Sequence, residues 1–255
     1  MTGTSGLPQP RLYSELAAWW PLLSPPSHYV EEAADLLPAL LDTGDAPAQT
    51  LLELGSGGGS LAFHLKAAMQ LTLSDRSPPM LEVSRAVNPE CEHVFGNMMT
   101  LDLGRMFDRV LIHDAIMYAT DGASVRATLA TAARHCRPGG GIIVVPDDVR
   151  ETFVPHTSHG GEDGSDGRGL RYLEWAWDPE PADETYDVAY AFLLREADGT
   201  TRVEHDLHRV GLFPHDAWLH WLDEAGFSPA SRMDPWQRYV FSGTRKPASR
   251  VSGRA

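Results

Sequence analysis

The segment Leu51-Leu52-Glu53-Leu54-Gly55-Ser56-Gly57-Gly58-Gly59-Ser60 places four glycines directly behind a short apolar run. Glycine permits positive φ and removes the Cβ atoms that would crowd a ligand against the backbone. A helix starting at Ser60 would add free N–H groups at its N-terminus, which favour a carboxylate or phosphate. Asp75 lies twenty positions after Gly55, at the end of the next apolar run. A carboxylate there is placed to accept hydrogen bonds from both hydroxyls of a ribose. The expected chemistry is binding of an adenosine-containing ligand at the carboxyl ends of parallel strands. The competing explanation is a glycine-rich turn without a ligand; the spacing to Asp75 and the strand pattern on both sides weigh against it.

Three ligand classes use such turns. A G-x-x-x-x-G-K-[ST] phosphate loop is excluded because no Lys follows the glycines. A dinucleotide fingerprint, G-x-G-x-x-G, fails at its third glycine, which falls on Ser60. The pattern E-x-G-x-G-x-G of S-adenosylmethionine sites is met in full by Glu53, Gly55, Gly57 and Gly59. Glu53 separates the classes further: its carboxylate attracts a methionine ammonium group and repels a pyrophosphate.

These residues need a scaffold, and the surrounding pattern supplies one. Residues 50–54, 70–74, 92–95, 107–113 and 142–145 read as short buried strands, with helices expected over 60–68, 79–87 and 123–136. Strands interleaved with helices in this way predict a parallel sheet covered on both faces. Ahead of it, Arg11 to Leu23 reads as a short amphipathic helix. Ser27 is the expected N-cap of a second helix, Tyr29 to Leu41, after a turn through Ser24-Pro25-Pro26. Past Pro146 the pattern changes. Residues 156–169, rich in Gly, Asp, Ser and His, read as a mobile loop. Residues 171–177, 187–195 and 202–211 then read as antiparallel strands, the last two joined at Asp198-Gly199. A helix over 214–225, stopped by Gly226, precedes two more strands, 227–233 and 237–243. Residues 1–10 and 245–255 read as a disordered lead and a polar tail.

With this framework the chain resembles the class I S-adenosylmethionine-dependent methyltransferases. Phe95-Gly96-Asn97-Met98 looks like their G-D-M segment after the third strand, with Asn97 in the place of the residue that accepts from the adenine amino group. Arg137-Pro138-Gly139-Gly140 matches their P-G-G turn before the fifth strand. A narrower resemblance, to the branch that dimethylates amino groups of nucleotide-linked deoxysugars, rests on Tyr13, Tyr29 to Ala33, Glu151-Thr152-Phe153, His208 to Phe213 and Ala225-Gly226-Phe227. This chain departs from that branch by having no Arg between Arg11 and Arg76, a place where His28 is the candidate substitute. The implied fold class is α/β: a doubly wound, mostly parallel seven-stranded sheet, with an N-terminal helical cap and an antiparallel β insert after the fifth strand. The implied division is a tail and cap (1–46), a cofactor-binding core (47–150 and 212–245), a substrate-side insert (151–211) and a disordered tail (246–255).

The resemblance implies S-adenosyl-L-methionine as cofactor and S-adenosyl-L-homocysteine as product. The expected cofactor contacts are Glu53, Gly55, Ser56, Gly57 and Gly59 from the turn, with Asp75, Arg76 and Met80 beyond the second strand. Asn97, Met98, a capping Tyr13 and His113 complete the set, His113 through its backbone carbonyl and with an inert ring. Tyr118 is expected to face the methyl group, and His208 is the candidate base. Each has a competing structural role: Tyr13, Trp19 and Trp20 as helix-packing aromatics, Met98 and Met99 as core, Tyr118 and His208 as residues remote from substrate. The acceptor is expected to be a small molecule, an amine ahead of a hydroxyl. A nicotinamide-dependent oxidoreductase and a non-catalytic cofactor-binding module are the readings of other classes.

Composition narrows the partners. The 255 residues carry a formal charge of −14, against the basic stripe that a nucleic-acid binder needs. No apolar run reaches the length of about 18 residues that a membrane span needs. The N-terminus lacks signal-peptide character, and a cytoplasmic setting is expected. Cys91 and Cys136 show no metal-ligand spacing, and His156, His159, His205 and His208 do not converge in the expected elements; no metal is expected. A homodimer is left open.

Overall fold

A computed structural model describes residues 10–45 and 47–247. Most of the expected lead (1–9), Ala46 and the end of the expected tail (248–255) lie outside the described residues. Seven strands form one sheet: β1 (Thr50–Leu54), β2 (Gln70–Asp75), β3 (Glu92–Phe95), β4 (Phe107–His113), β5 (Cys136–Val145), β10 (Phe227–Met233) and β11 (Tyr239–Arg245). Their order is β10-β11-β5-β4-β1-β2-β3, parallel except for β11 against β5 and β10. A second, antiparallel sheet runs in the order β6 (His156–Gly160), β7 (Gly169–Trp177), β8 (Thr185–Arg195), β9 (Thr201–Gly211).

Alternation along the strands divides the core. Leu52, Leu54, Val110, Ile112, Ile142 and Val144 pack with Val125 and Leu129 of α5 (Gly122–His135) and Trp218 and Leu222 of α6 (His215–Glu224). Their neighbours Leu51, Leu71, Leu73, Leu111, Ile143 and Val145 face the other way, onto α2 (Val30–Asp42) and α3 (Ala62–Leu65). A strand buried on both faces reads as a continuous apolar run, which is why these segments are so apolar. Helix α4 (Pro78–Val87) follows β2, capped by the Ser77 hydroxyl on Met80 N. Among the described residues no helix is long and apolar enough to cross a membrane.

Several local expectations are corrected. Residues 11–23 do not form one helix but two 3₁₀ turns, Arg11–Tyr13 and Ala17–Trp19, followed by α1 (Trp20–Leu23). Pro21 has no N–H to give, so a continuous i→i−4 ladder is interrupted there. Ser27 does not cap α2; it sits inside a 3₁₀ turn, Pro26–Tyr29, and no side chain caps the helix start. The helix expected over 60–68 shortens to Ala62–Leu65. Strand β5 begins at Cys136 and absorbs the expected Pro-Gly-Gly turn as a bulge, its register jumping from Phe107↔Cys136 to Arg109↔Gly141. Residues 156–160 are not loop: they pair with β7 as an edge strand, and only the glycine-rich part beyond Gly160 stays irregular. The N-terminal turns pack through Leu12, Leu16, Trp19 and Leu22 onto Leu170, Phe192 and Leu194 of the second sheet.

Candidate active site

A cavity of about 680 Å³ opens where the carboxyl ends of β1, β2, β4 and β5 meet the N-terminal turns and the second sheet. The glycine turn forms one wall. Gly55 has φ +78°, and a Cβ there would lie 2.3 Å from Ala115 Cβ. A Cβ on Gly58 would meet the Trp20 ring at 2.3 Å, so the cap aromatic rests directly on the turn. Ser56, Gly57, Gly59, Arg76, Asn97 and Met98 also line this end. Met80 does not: it is fully buried beneath Gly57, where it packs rather than faces the cavity. His28, the candidate substitute for a missing Arg, lies outside this cavity and pairs with Glu162.

The two carboxylates behave differently. Asp75 accepts from Gly57 N at 2.9 Å and Ser77 N at 2.8 Å, tying the end of β2 to the turn. Burial pushes its carboxyl up, and those two bonds hold it down in part. Glu53 is 3 % exposed and its Oε2 has no partner. Burial pushes it up to about 7, with His113 opposing. Asn97 Oδ1 accepts from Met99 N at 2.9 Å.

His113 is not inert. Its Nε2 lies 2.8 Å from Glu32 and its Nδ1 3.1 Å from Asp114, and despite burial these carboxylates hold the ring well above the usual imidazole range. Arg238 pairs with Glu32 and with Asp234 Oδ2. Asp114, at φ +33°, opens on the cavity beside Asp147. The protein around Asp147 and the neighbouring Asp114 charge push the Asp147 carboxyl well above its usual range.

On the opposite wall a chain of short contacts crosses the cavity. Tyr13 Oη is 2.8 Å from Tyr118 Oη, Tyr118 Oη is 2.8 Å from His208 Nδ1, and His208 Nε2 is 3.0 Å from Asp206 Oδ2. Both ring nitrogens of His208 are thus engaged. Residues two apart on the second sheet share a face: Tyr172, Glu174 and Ala176 on β7, Tyr186, Val188 and Tyr190 on β8, and His208 and Val210 on β9 all line the cavity. Sequence reasoning expected the insert on the substrate side and named His208 but missed Asp206 and the other residues of this wall; the period-two series 172/174/176, 186/188/190 and 206/208/210 is the signal that could have found them. His205 falls on the exposed face, and among the described residues no group of three or more His, Cys, Asp or Glu could hold a metal. Asp187, at the edge of an acidic run, is buried against Arg209.

Residues 51–140 match the methyltransferase-domain family, and this match spans the glycine turn, Asp75 and the fourth strand. The chain carries a class I, S-adenosylmethionine-dependent methyltransferase domain. A protein of Geobacillus sp. (strain WCH70), provisionally named a methyltransferase, is 26 % identical to this methyltransferase over 224 residues, 85 % of this chain and 89 % of its own. The dTDP-3-amino-3,4,6-trideoxy-alpha-D-glucopyranose N,N-dimethyltransferase of Streptomyces venezuelae is 29 % identical over 49 % of this chain and 54 % of its own. The solved structure of CalS10 with S-adenosylmethionine bound, an amino pentose methyltransferase of Micromonospora echinaspora, is similar in fold. Its TM-score is 0.73 at 23 % identity, covering 86 % of this chain and 92 % of that one.

The cavity of the methyltransferase fits the cofactor of its class. Glu53 Oε2, Ser56 Oγ and Trp20 Nε1 are buried polar atoms without a partner, and all three residues line the end formed by the glycine turn. A buried polar atom left unpaired is costly. An acceptor, a hydroxyl and an indole donor together suit the ammonium and carboxylate of an amino acid.

Proposed function

We propose that the protein transfers a methyl group from S-adenosylmethionine to the amine of a small-molecule acceptor, an amino sugar or a similar natural-product intermediate. The observation that carries this reading is Glu53, a deeply buried carboxylate with an unpartnered oxygen beside the glycine turn. The cofactor supplies an electrophilic sulfonium methyl group. In this reading Glu53 and Ser56 hold its amino-acid end and Asp75 its ribose, while Asn97 and Met98 flank the adenine. Tyr13 and Trp20 close over it from the N-terminal turns. The core, 47–150 with 212–245, is the cofactor-binding unit, and the insert, 151–211, is the acceptor wall. Tyr118 and His208 act on the acceptor, with positioning supplying most of the rate. The amino-sugar relatives support an amine acceptor. The Tyr118–His208 contact favours, as a second reading, a hydroxyl acceptor, which needs a base.

The test has two parts. Thermal shift with S-adenosylmethionine, S-adenosylhomocysteine and NAD should stabilise the protein with the first two only; stabilisation by NAD alone would overturn the reading. Turnover of an amino-sugar nucleotide against a phenolic acceptor then separates N- from O-transfer.

A further inference from the structure

Asp206 touches neither end of the expected site, yet it joins two parts of it. Its Oδ2 accepts from Leu12 N at 2.8 Å and from His208 Nε2 at 3.0 Å, and its Oδ1 accepts from Leu207 N at 3.1 Å. It is 8 % exposed, and His208 is 3 % exposed. Burial pushes the Asp206 carboxyl up, but these bonds, led by His208, more than offset it and hold it below its usual range. An ionised carboxylate only accepts. All three of its neighbours here are N–H groups, so His208 must carry a proton on Nε2.

In the neutral ring, the state ready to take up a proton, that single constraint orders the rest of the chain. In a neutral imidazole protonated on Nε2, Nδ1 is an acceptor. Tyr118 Oη, 2.8 Å away, therefore donates to it. Tyr118 has one hydroxyl proton, so in the 2.8 Å contact with Tyr13 it is Tyr13 that donates. The Tyr13 oxygen then turns its lone pairs, and only those, toward other partners at the cavity end.

We infer that Asp206 is a positioning residue that fixes His208 as the end of a proton relay, Tyr13 to Tyr118 to His208. The inference rests on the methyl-transfer reading above, because an amine arriving as an ammonium ion must lose a proton before it can attack. One acceptor N–H bond breaks as Tyr13 takes that proton. Tyr13 passes its own proton to Tyr118, Tyr118 passes its own to His208 Nδ1, and one N–H bond forms there. The positive charge moves from the acceptor to an imidazolium facing the Asp206 carboxylate. Because Leu12 N shares Oδ2, the relay and the seating of the N-terminal turn depend on the same atom.

Nitrogen-15 NMR of histidine-labelled protein with S-adenosylhomocysteine needs no acceptor. It should show His208 neutral, protonated on Nε2, with an acceptor-type Nδ1 whose shift moves in Tyr118→Phe. The opposite tautomer, or no response to Tyr118→Phe, overturns the inference. With the acceptor found by turnover, Asp206→Asn and Tyr118→Phe should each lower kcat about 100-fold, with KM for S-adenosylmethionine unchanged in Tyr118→Phe, raised in Asp206→Asn where the Leu12 anchor is weakened as well, and partial recovery of kcat in Asp206→Glu. The double variant should fall little further, because both changes break one relay. Full kcat in Asp206→Asn, or losses that multiply, overturns it. Loss of S-adenosylhomocysteine binding in the wild-type protein would instead count against the methyl-transfer reading.

Discussion

Replacing Glu53 with glutamine tests the centre of the cofactor reading through stability as well as binding. The Glu53 carboxyl moves from an ordinary 4.5 in the unfolded chain to about 7 in the folded protein, because burial opposes its ionised form. A folded-state pKa above the unfolded value gives stability that is fully present below about 4.5 and is lost as pH rises through about 7. At about 1.4 kcal/mol per factor of ten, the wild-type protein should lose about 3 kcal/mol of stability from this group by pH 8. The amide in Glu53→Gln has no charge to desolvate, so the gap between variant and wild type should widen by about 2.5 kcal/mol between pH 5 and pH 8, the rest of the loss having occurred below pH 5. In a chain of this size that corresponds to a relative gain in Tm of about 5–10 °C. Urea unfolding of both proteins at the two pH values, without cofactor, measures it. In the same samples Glu53→Gln should weaken S-adenosylhomocysteine binding by about 2 kcal/mol or more, since it removes the partner of a buried ammonium. A gap that stays flat with pH, or unchanged cofactor affinity, would rule out Glu53 as a buried partner of the ammonium group.

Other substitutions probe neighbouring parts. Asp75→Ala removes the acceptor of Gly57 N and Ser77 N; it should abolish the thermal shift with cofactor and cost about 1–3 kcal/mol of stability, both read from melting curves. Gly55→Ala forces a side chain onto a φ of +78° with its Cβ 2.3 Å from Ala115. It should destabilise the fold by more than about 1 kcal/mol and lower cofactor affinity in calorimetry. Arg238→Met strips Glu32 and Asp234 of a shared partner, and denaturant unfolding should show a loss of about 3–5 kcal/mol.

The cluster proposed to hold the cofactor was legible as a cluster because it is local. Glu53, the glycines and Asp75 lie on two successive strands and their turns, so spacing alone brings them together. The strands around them, buried on both faces, announce themselves as apolar runs. Less was legible wherever tertiary contacts chose the structure. The N-terminal turns read as a helix because Leu12, Leu16, Trp19 and Leu22 are all buried, but they are buried against the second sheet, which accepts two 3₁₀ turns as readily as a helix. Residues 156–160 read as loop because an edge strand exposed on much of its surface needs no apolar alternation. The ring of His113 reads as inert because its partners come from α2 and from a residue at positive φ, neither of which a linear spacing reveals.

The proposed acceptor half is assembled from places far apart in the chain: Tyr118 after β4 and Asp206 and His208 on β9, joined by Tyr13 from the first turn, which stands between it and the proposed cofactor end. No local motif can encode such a set, which is why His208 and Tyr118 stand out singly and Asp206 not at all. The separation has a physical consequence. The insert touches the acceptor wall through alternate residues of β7, β8 and β9, while the parallel strands that carry Glu53 and Asp75 are paired among themselves and not with it. Changes at Glu174, Tyr186 or Tyr190 can therefore reshape the acceptor wall without moving the glycine turn. Asp206 is different, because it anchors Leu12, beside the Arg11–Glu204 pair and the packing of the N-terminal turns on the insert, and through that turn it reaches Tyr13 and Trp20, the proposed aromatic cover of the cofactor end. The two halves are coupled mechanically through the N-terminal turns, so acceptor specificity should vary most freely at insert positions that do not touch those turns.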